Sequence, residues 1–143
     1  MKTSFFFYLM AISAFLAPQP LAGESSGMRT LAKGAYCNIS KPRQEVIKDL
    51  STFKSIWKQL STQTPDPIPE IDFSREMVVL VAMGQKPTGG YFVEITKIQP
   101  AGKRLRIEVF RKSPPPDAIL AQVVTSPFHL VAVPKSSLSP EFQ

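Results

Sequence analysis

The sequence predicts an α+β, mainly β fold: an antiparallel sheet or small sandwich with one amphipathic helix inserted before the central strand. Three observations predict it. Phe53, Ile56, Trp57 and Leu60 fall at i, i+3, i+4 and i+7, one apolar stripe, with Lys54, Lys58 and Gln59 on the other face. Met77 to Met83 is apolar throughout, as in a strand covered on both faces. Leu105, Ile107 and Val109 alternate with Arg104, Arg106 and Glu108, the period of a half-buried strand.

The N-terminus comes first in the chain and reads differently. Lys2 precedes an apolar run from Phe5 to Ala17, then Pro18-Gln19-Pro20 and the small residues Ala22 and Gly23. A positive start, a short apolar core and a small-residue junction make a secretory signal. The run spans roughly 20 Å as a helix, short of a hydrocarbon core of about 30 Å, so a membrane span is excluded. Cleavage is expected after Ala22, or else after Gly23. Removing residues 1–22 takes away one lysine and no acid, so 17 basic residues become 16 against 11 acidic, and +6 becomes +5. The remainder is one domain's worth of chain, able to bury about two-thirds of its unfolded surface.

Glu24 to Lys33 is small and polar, so 23–34 reads as a flexible lead-in. Ala35–Ile39 and Glu45–Lys48 read as short strands. Ser51 is placed to cap the helix, which Pro65, Pro67 and Pro69 stop by Thr64. After the apolar run, Tyr91, Val93 and Ile95 alternate with Phe92, Glu94 and Thr96. Pro100-Ala101-Gly102 is a turn signal that joins this strand to the next as a hairpin. Ser113 to Asp117, with three consecutive prolines, reads as a stiff extended connection. Val123 to Val133 reads as a final strand, interrupted near Pro127 in the manner of an edge or a bulge. Residues 138–143 are left as a C-terminal tail.

Chemistry-bearing residues are sparse. Cys37 is the one cysteine, which rules out an internal disulfide; it is a buried small hydrophobe, a free thiol or an intermolecular link. His129 is the one histidine and sits in a strand pattern, where it reads as a structural partner. No nucleophile signature surrounds Cys37. One Cys with one His makes no zinc set, and Glu70 and Asp72 lie close in sequence without a sign of a shared pocket. The expectation is therefore no enzyme, no catalytic residue, no metal and no cofactor. Lys103, Arg104, Arg106, Arg111 and Lys112 cluster in sequence, as a solvated strand face or as a patch for an acidic partner or anionic surface. No nucleic-acid motif or aromatic ladder accompanies these charges, so nucleic acid is not an expected partner.

Lys86-Pro87-Thr88-Gly89-Gly90-Tyr91 stands apart. A phosphate loop needs Lys-Ser/Thr after its last glycine and then a helix, and here a strand follows. Two readings are left, a tight connection between strands and a preorganised recognition loop of Pro87, Thr88, Gly89, Gly90 and Tyr91 on a rigid sheet.

Phe53 and Trp57 on a helix, a Pro-rich link to Ile71-Asp72-Phe73 and apolar Met77–Val81 precede that loop. Thr125 and Pro127 then lead into Val131-Ala132-Val133-Pro134-Lys135. Together these residues resemble the C-terminal domain of the bacterial protease complex subunit PrcB family, over Gln44 to Lys135. The resemblance implies an exported, periplasmic or extracellular, non-catalytic module that binds a protein partner as an accessory or stabilising subunit of a protease complex. It divides the chain into signal (1–22), lead-in (23–34), PrcB-like domain (35–137) and tail (138–143). No lipobox cysteine is present, so no stable membrane anchor is expected after signal cleavage. The same loop is more faintly similar to the Asn-Pro-Thr-Thr-Gly-Tyr/Phe loop of chagasin-like cysteine-protease inhibitors. Lys86 stands for the Asn and Gly89 for the second Thr, and that family's other two binding loops are not evident. The alternative it implies is an inhibitor acting through Pro87–Tyr91.

Overall fold

A computed structural model describes residues 27–61 and 67–143. The signal peptide and cleavage site expected from the sequence lie outside the described residues. In chain order the elements are β1 (Arg29–Gly34), β2 (Arg43–Ile47), α1 (Leu50–Leu60), β3 (Glu76–Ala82), β4 (Phe92–Ala101), β5 (Arg104–Lys112), β6 (Phe128–Pro134) and β7 (Ser139–Phe142). One sheet runs β1-β6-β3-β2, all antiparallel, and a second runs β4-β5-β7.

The period-2 geometry of strands explains the layering. In β3 and β6, Val78, Leu80, Ala82, Phe128 and Leu130 point to one face and pack on α1. Met77, Val79, Val81, Val131 and Val133 point to the other and pack on Val93, Ile95, Leu105 and Ile107 of the second sheet. The four-stranded sheet is thus the middle of three layers, which is why Met77–Met83 shows no alternation. The α1 stripe of Phe53, Ile56, Trp57 and Leu60 is buried as its spacing predicts. That burial contributes roughly 6–12 kcal/mol gross. Phe53 sits 6.0 Å from Trp57 and 5.8 Å from Phe73 between ring centroids, so the helix is anchored by an aromatic cluster.

Several expectations are corrected. The helix cap is Asp49, not Ser51: its carboxylate accepts from Thr52 N–H and from Thr52 Oγ1, both at 2.8 Å. Those hydrogen bonds hold the Asp49 carboxyl below its ordinary pKa. The lead-in is not loose beyond Gly27, because Arg29–Gly34 forms β1 and pairs along β6. With β1 on one side and β3 on the other, β6 is interior rather than an edge, and it begins after Pro127, not at Val123. Pro127 keeps a structural task, accepting from Met83 N–H at 2.9 Å. Ala35–Ile39 is not a strand, and the strand read at Glu45–Lys48 is β2. The hairpin turn is Gly102-Lys103, with Gly102 at φ +61°, since β4 continues through Pro100 and Ala101. The tail is also a strand: β7 pairs parallel with β5, and Gln143 both donates to Ile107 O (2.9 Å) and accepts from Val109 N–H (2.8 Å).

His129 joins the two sheets. It lies on the inner face of β6, 2 % exposed, and its Nδ1 accepts from Ile95 N–H at 2.8 Å. An accepting Nδ1 places the proton of the neutral ring on Nε2, which then donates to Thr30 Oγ1 at 3.0 Å. The contact falls where β4 shifts register between Ile95 and Lys97, on a strand that is the outer one of its sheet. Burial, and secondarily the Lys33 charge, lower the His129 pKa, with Glu94 opposing. A histidine with a depressed folded pKa takes up protons more readily when unfolded. Its contribution is therefore complete above the unfolded pKa of about 6.5 and declines as pH falls toward the folded value. The melting temperature is expected to drop as pH falls below about 6.5, before the range where carboxylates titrate. His129→Gln should flatten that slope, and a slope unchanged in this variant would assign it to another group.

Candidate functional site

The Pro87–Tyr91 loop is built by the way β3 ends. Beyond Ala82 the chain reverses at Gly84, φ +72°, where Gln85 N–H donates to Ser40 O at 2.9 Å. Lys86 and Thr125 then exchange two backbone hydrogen bonds, 2.8 and 3.0 Å. Gly89 N–H donates to Ala121 O at 3.0 Å, and Thr125 Oγ1 donates to Thr88 O at 2.8 Å. The loop is therefore fastened along one side to the segment that follows the proline run. Loop backbone that would otherwise depend on water is paired within the protein.

The side chains divide. Thr88 is half-buried and its hydroxyl donates to Gly89 O at 3.0 Å, so it is committed within the loop. Tyr91 is half-buried, with Lys86 Nζ 5.4 Å from its ring centroid. Pro87 and Gly90 are exposed. Only Gly90 needs glycine for its backbone, with φ +88°, and a Cβ there would stand 3.0 Å from Leu120 Cδ2 and 3.0 Å from Pro114 Cβ. At Gly89 the nearest atom to such a Cβ is 3.7 Å away. Gly90→Ala is thus expected to cost about 1–2 kcal/mol, and Gly89→Ala a few tenths at most. Equal losses in chemical denaturation would show that the two positions are not distinguished by φ.

The partner segment carries the larger surface. Ile119 is fully exposed, Val124 60 % and Val123 44 % exposed, an apolar ridge on the segment to which the loop is fastened. Sequence reasoning missed it, folding Val123 and Val124 into the last strand and passing over Ile119. The available signal was an apolar stretch, Ala-Ile-Leu-Ala-Gln-Val-Val, caught between Pro116 and Pro127 with neither a strand nor a helix period.

Between the layers, next to the loop, the structure opens a cleft of about 310 Å³. Its walls include Arg43 and Gln44 at the start of β2, Met83 after β3, Lys86, and Arg111 near the end of β5. The basic residues that cluster in sequence do not cluster in space. Lys103 lies in the turn and Arg104 opens β5, while Arg111 and Lys112 close it, about 23 Å away at strand rise. Cys37 is half-buried, its Sγ 3.3 Å from Ser126 O and Oγ. Among the described residues no three His, Cys, Asp or Glu converge as a metal site, and no helix is long and apolar enough to cross a membrane.

Residues 77–134 match the family model described as PrcB C-terminal. Over those residues the chain is similar to the PrcB C-terminal family. The match takes in β3, the Pro87–Tyr91 loop, β4, β5, the ridge segment and β6. The PrcB C-terminal match is narrower than the resemblance over Gln44 to Lys135, because α1 with Phe53 and Trp57 falls outside it. Yet β1, β2, α1 and β7 complete both core layers around the PrcB C-terminal segment. No curated protein and no solved structure matches the chain. Nothing in these comparisons supports the chagasin-like likeness.

Proposed function

We propose that this protein is an exported, non-catalytic interaction module that serves as an accessory or stabilising subunit of a secreted or cell-surface protease complex. The observation that carries the reading is the ridge of Ile119, Val123 and Val124, held out by a loop hydrogen-bonded along its length. Exposed apolar side chains on a stiff support are what a protein partner can bury without a large ordering cost. The family name adds the kind of partner, a protease complex. The N-terminal signal pattern adds the compartment, periplasmic or extracellular.

The experiment is recovery of the tagged protein from the exported fraction of its native host. A protease should co-purify in fixed ratio, and its half-life should shorten when this protein is deleted. Recovery as a free protein, with protease half-life unchanged by the deletion, would contradict the proposal. Stoichiometric loss of protease activity on adding the purified protein would instead make it an inhibitor acting through the Pro87–Tyr91 loop.

A further inference from the structure

The cleft beside the loop has a composition that the packing of the fold does not require. Along β5 the inner-face row runs Leu105, Ile107, Val109 and then Arg111. Three apolar residues close the core, and the fourth place on the same face is a cation at the rim of the cleft. Arg111 makes no ion pair among the described residues. Among the described residues Lys86 has only the Tyr91 ring as a partner for its charge, and Arg43 is paired to Glu45 at 2.6 Å. The lining itself holds three cations and no carboxylate, over an apolar floor that includes Val81 and Met83. Its walls are fixed by backbone bonds: Gln85 N–H to Ser40 O, Met83 N–H to Pro127 O, Lys86 N–H to Thr125 O. A preformed cleft with unmatched positive charge favours an anionic group that also brings apolar surface.

We propose that this cleft between the ends of β2, β3 and β5 docks an extended acidic segment of the protein partner, its carboxylates received by Arg111 and Lys86 with Arg43 at the rim. The proposal rests on the protein-binding reading above and names the chemistry of the segment that reading calls for. Arg111 supplies a planar fork that matches a carboxylate with two hydrogen bonds, and Lys86 supplies a point charge. The ridge at Ile119 and the cleft flank the same loop, so one partner can cover both.

The test uses purified protein and a short fluorescent peptide of alternating Glu and Ala, beside its Gln-Ala counterpart. The Glu peptide should bind, with weakening as salt rises, and should shift the amide signals of Gln44, Met83 and Lys86. Arg111→Gln should weaken it about tenfold, the scale of one charged hydrogen-bonded contact. Arg104→Gln removes the same charge at the far end of β5 and should leave binding unchanged. Equal weakening by both variants would reduce the effect to net charge and overturn the site. So would equal binding of the Gln-Ala peptide, or displacement by inorganic phosphate at concentrations below the peptide's own. Because the probe is a peptide and not the native partner, failure here leaves the co-purification result standing on its own.

Discussion

Trp57→Ala is expected to lower stability by about 3–5 kcal/mol, the cost of a large aromatic lost from a packed core. Trp57 is 7 % exposed, it stacks obliquely on Phe53, and it shares its layer with Ile47, Leu80 and Phe128. The cavity would open between α1 and the middle sheet, where α1 is the one helix among the described residues that covers the face. For a domain of this length that corresponds to a fall in melting temperature of roughly 10–20 °C. The loop and ridge lie in another part of the fold. Protein that remains folded at low temperature should therefore capture partner as wild type does. A melt within a degree or two of wild type would mean that the helix face is not seated as described.

Gly84→Ala should be nearly as damaging, for a different reason. The backbone there has φ +72°, and an added Cβ would lie 2.7 Å from Pro42 N and 2.8 Å from the Lys41 carbonyl carbon. Those are main-chain atoms, so neither can rotate out of the way. The reversal would have to open, and with it the Gln85–Ser40 hydrogen bond that fixes one wall of the cleft. The expected loss is about 3 kcal/mol, combining left-handed strain with displacement of packed backbone. Gly102→Ala is the matched control. It shares positive φ, +61°, but its Cβ would meet nothing within 4 Å, so it should cost only about 1 kcal/mol. Comparable losses in urea denaturation would show that the close approach to Pro42 contributes nothing.

Residues with one dominant period were legible before the structure. The α1 stripe, β4 and β5 each answer to a single neighbour layer and β3 to one on each face, and their patterns record it. The misread elements answer to partners far along the chain. β1 is short and mostly polar, and its reason to be a strand is the open side of β6, where Lys33 pairs with His129 across the rest of the domain. β7 has four residues, two of them half-buried, and its reason is the open side of β5. No local signal announces such an edge. The cap was a choice between Asp49 and Ser51, two residues of capping type, and Thr52 decides it by donating from both its backbone and its hydroxyl.

The candidate site was half legible for the same reason. Glycines beside Pro87 and Thr88 marked a loop of restricted shape, and the structure gives it one. What it is fastened to was not marked. The bonds from Gly89 to Ala121 and between Lys86 and Thr125 turn an apparent linker into the outer wall of the site, which puts Ile119 in the open. They also move the expected contact from Thr88, whose hydroxyl is used inside the loop, to the ridge. Arg111 was noticed as part of a charge run. Only strand alternation in three dimensions separates it from Arg106 and places it at the cleft.

Capture of the proposed protease partner by Ile119→Asp, measured alongside its melting curve, tests the central claim most directly. Ile119 touches little of the core, so the variant should melt as wild type does, while a charge placed on the apolar ridge should reduce capture at least tenfold. Thr88→Ala, measured in parallel, should capture normally. Undiminished capture by Ile119→Asp, at an unchanged melting temperature, would contradict the account.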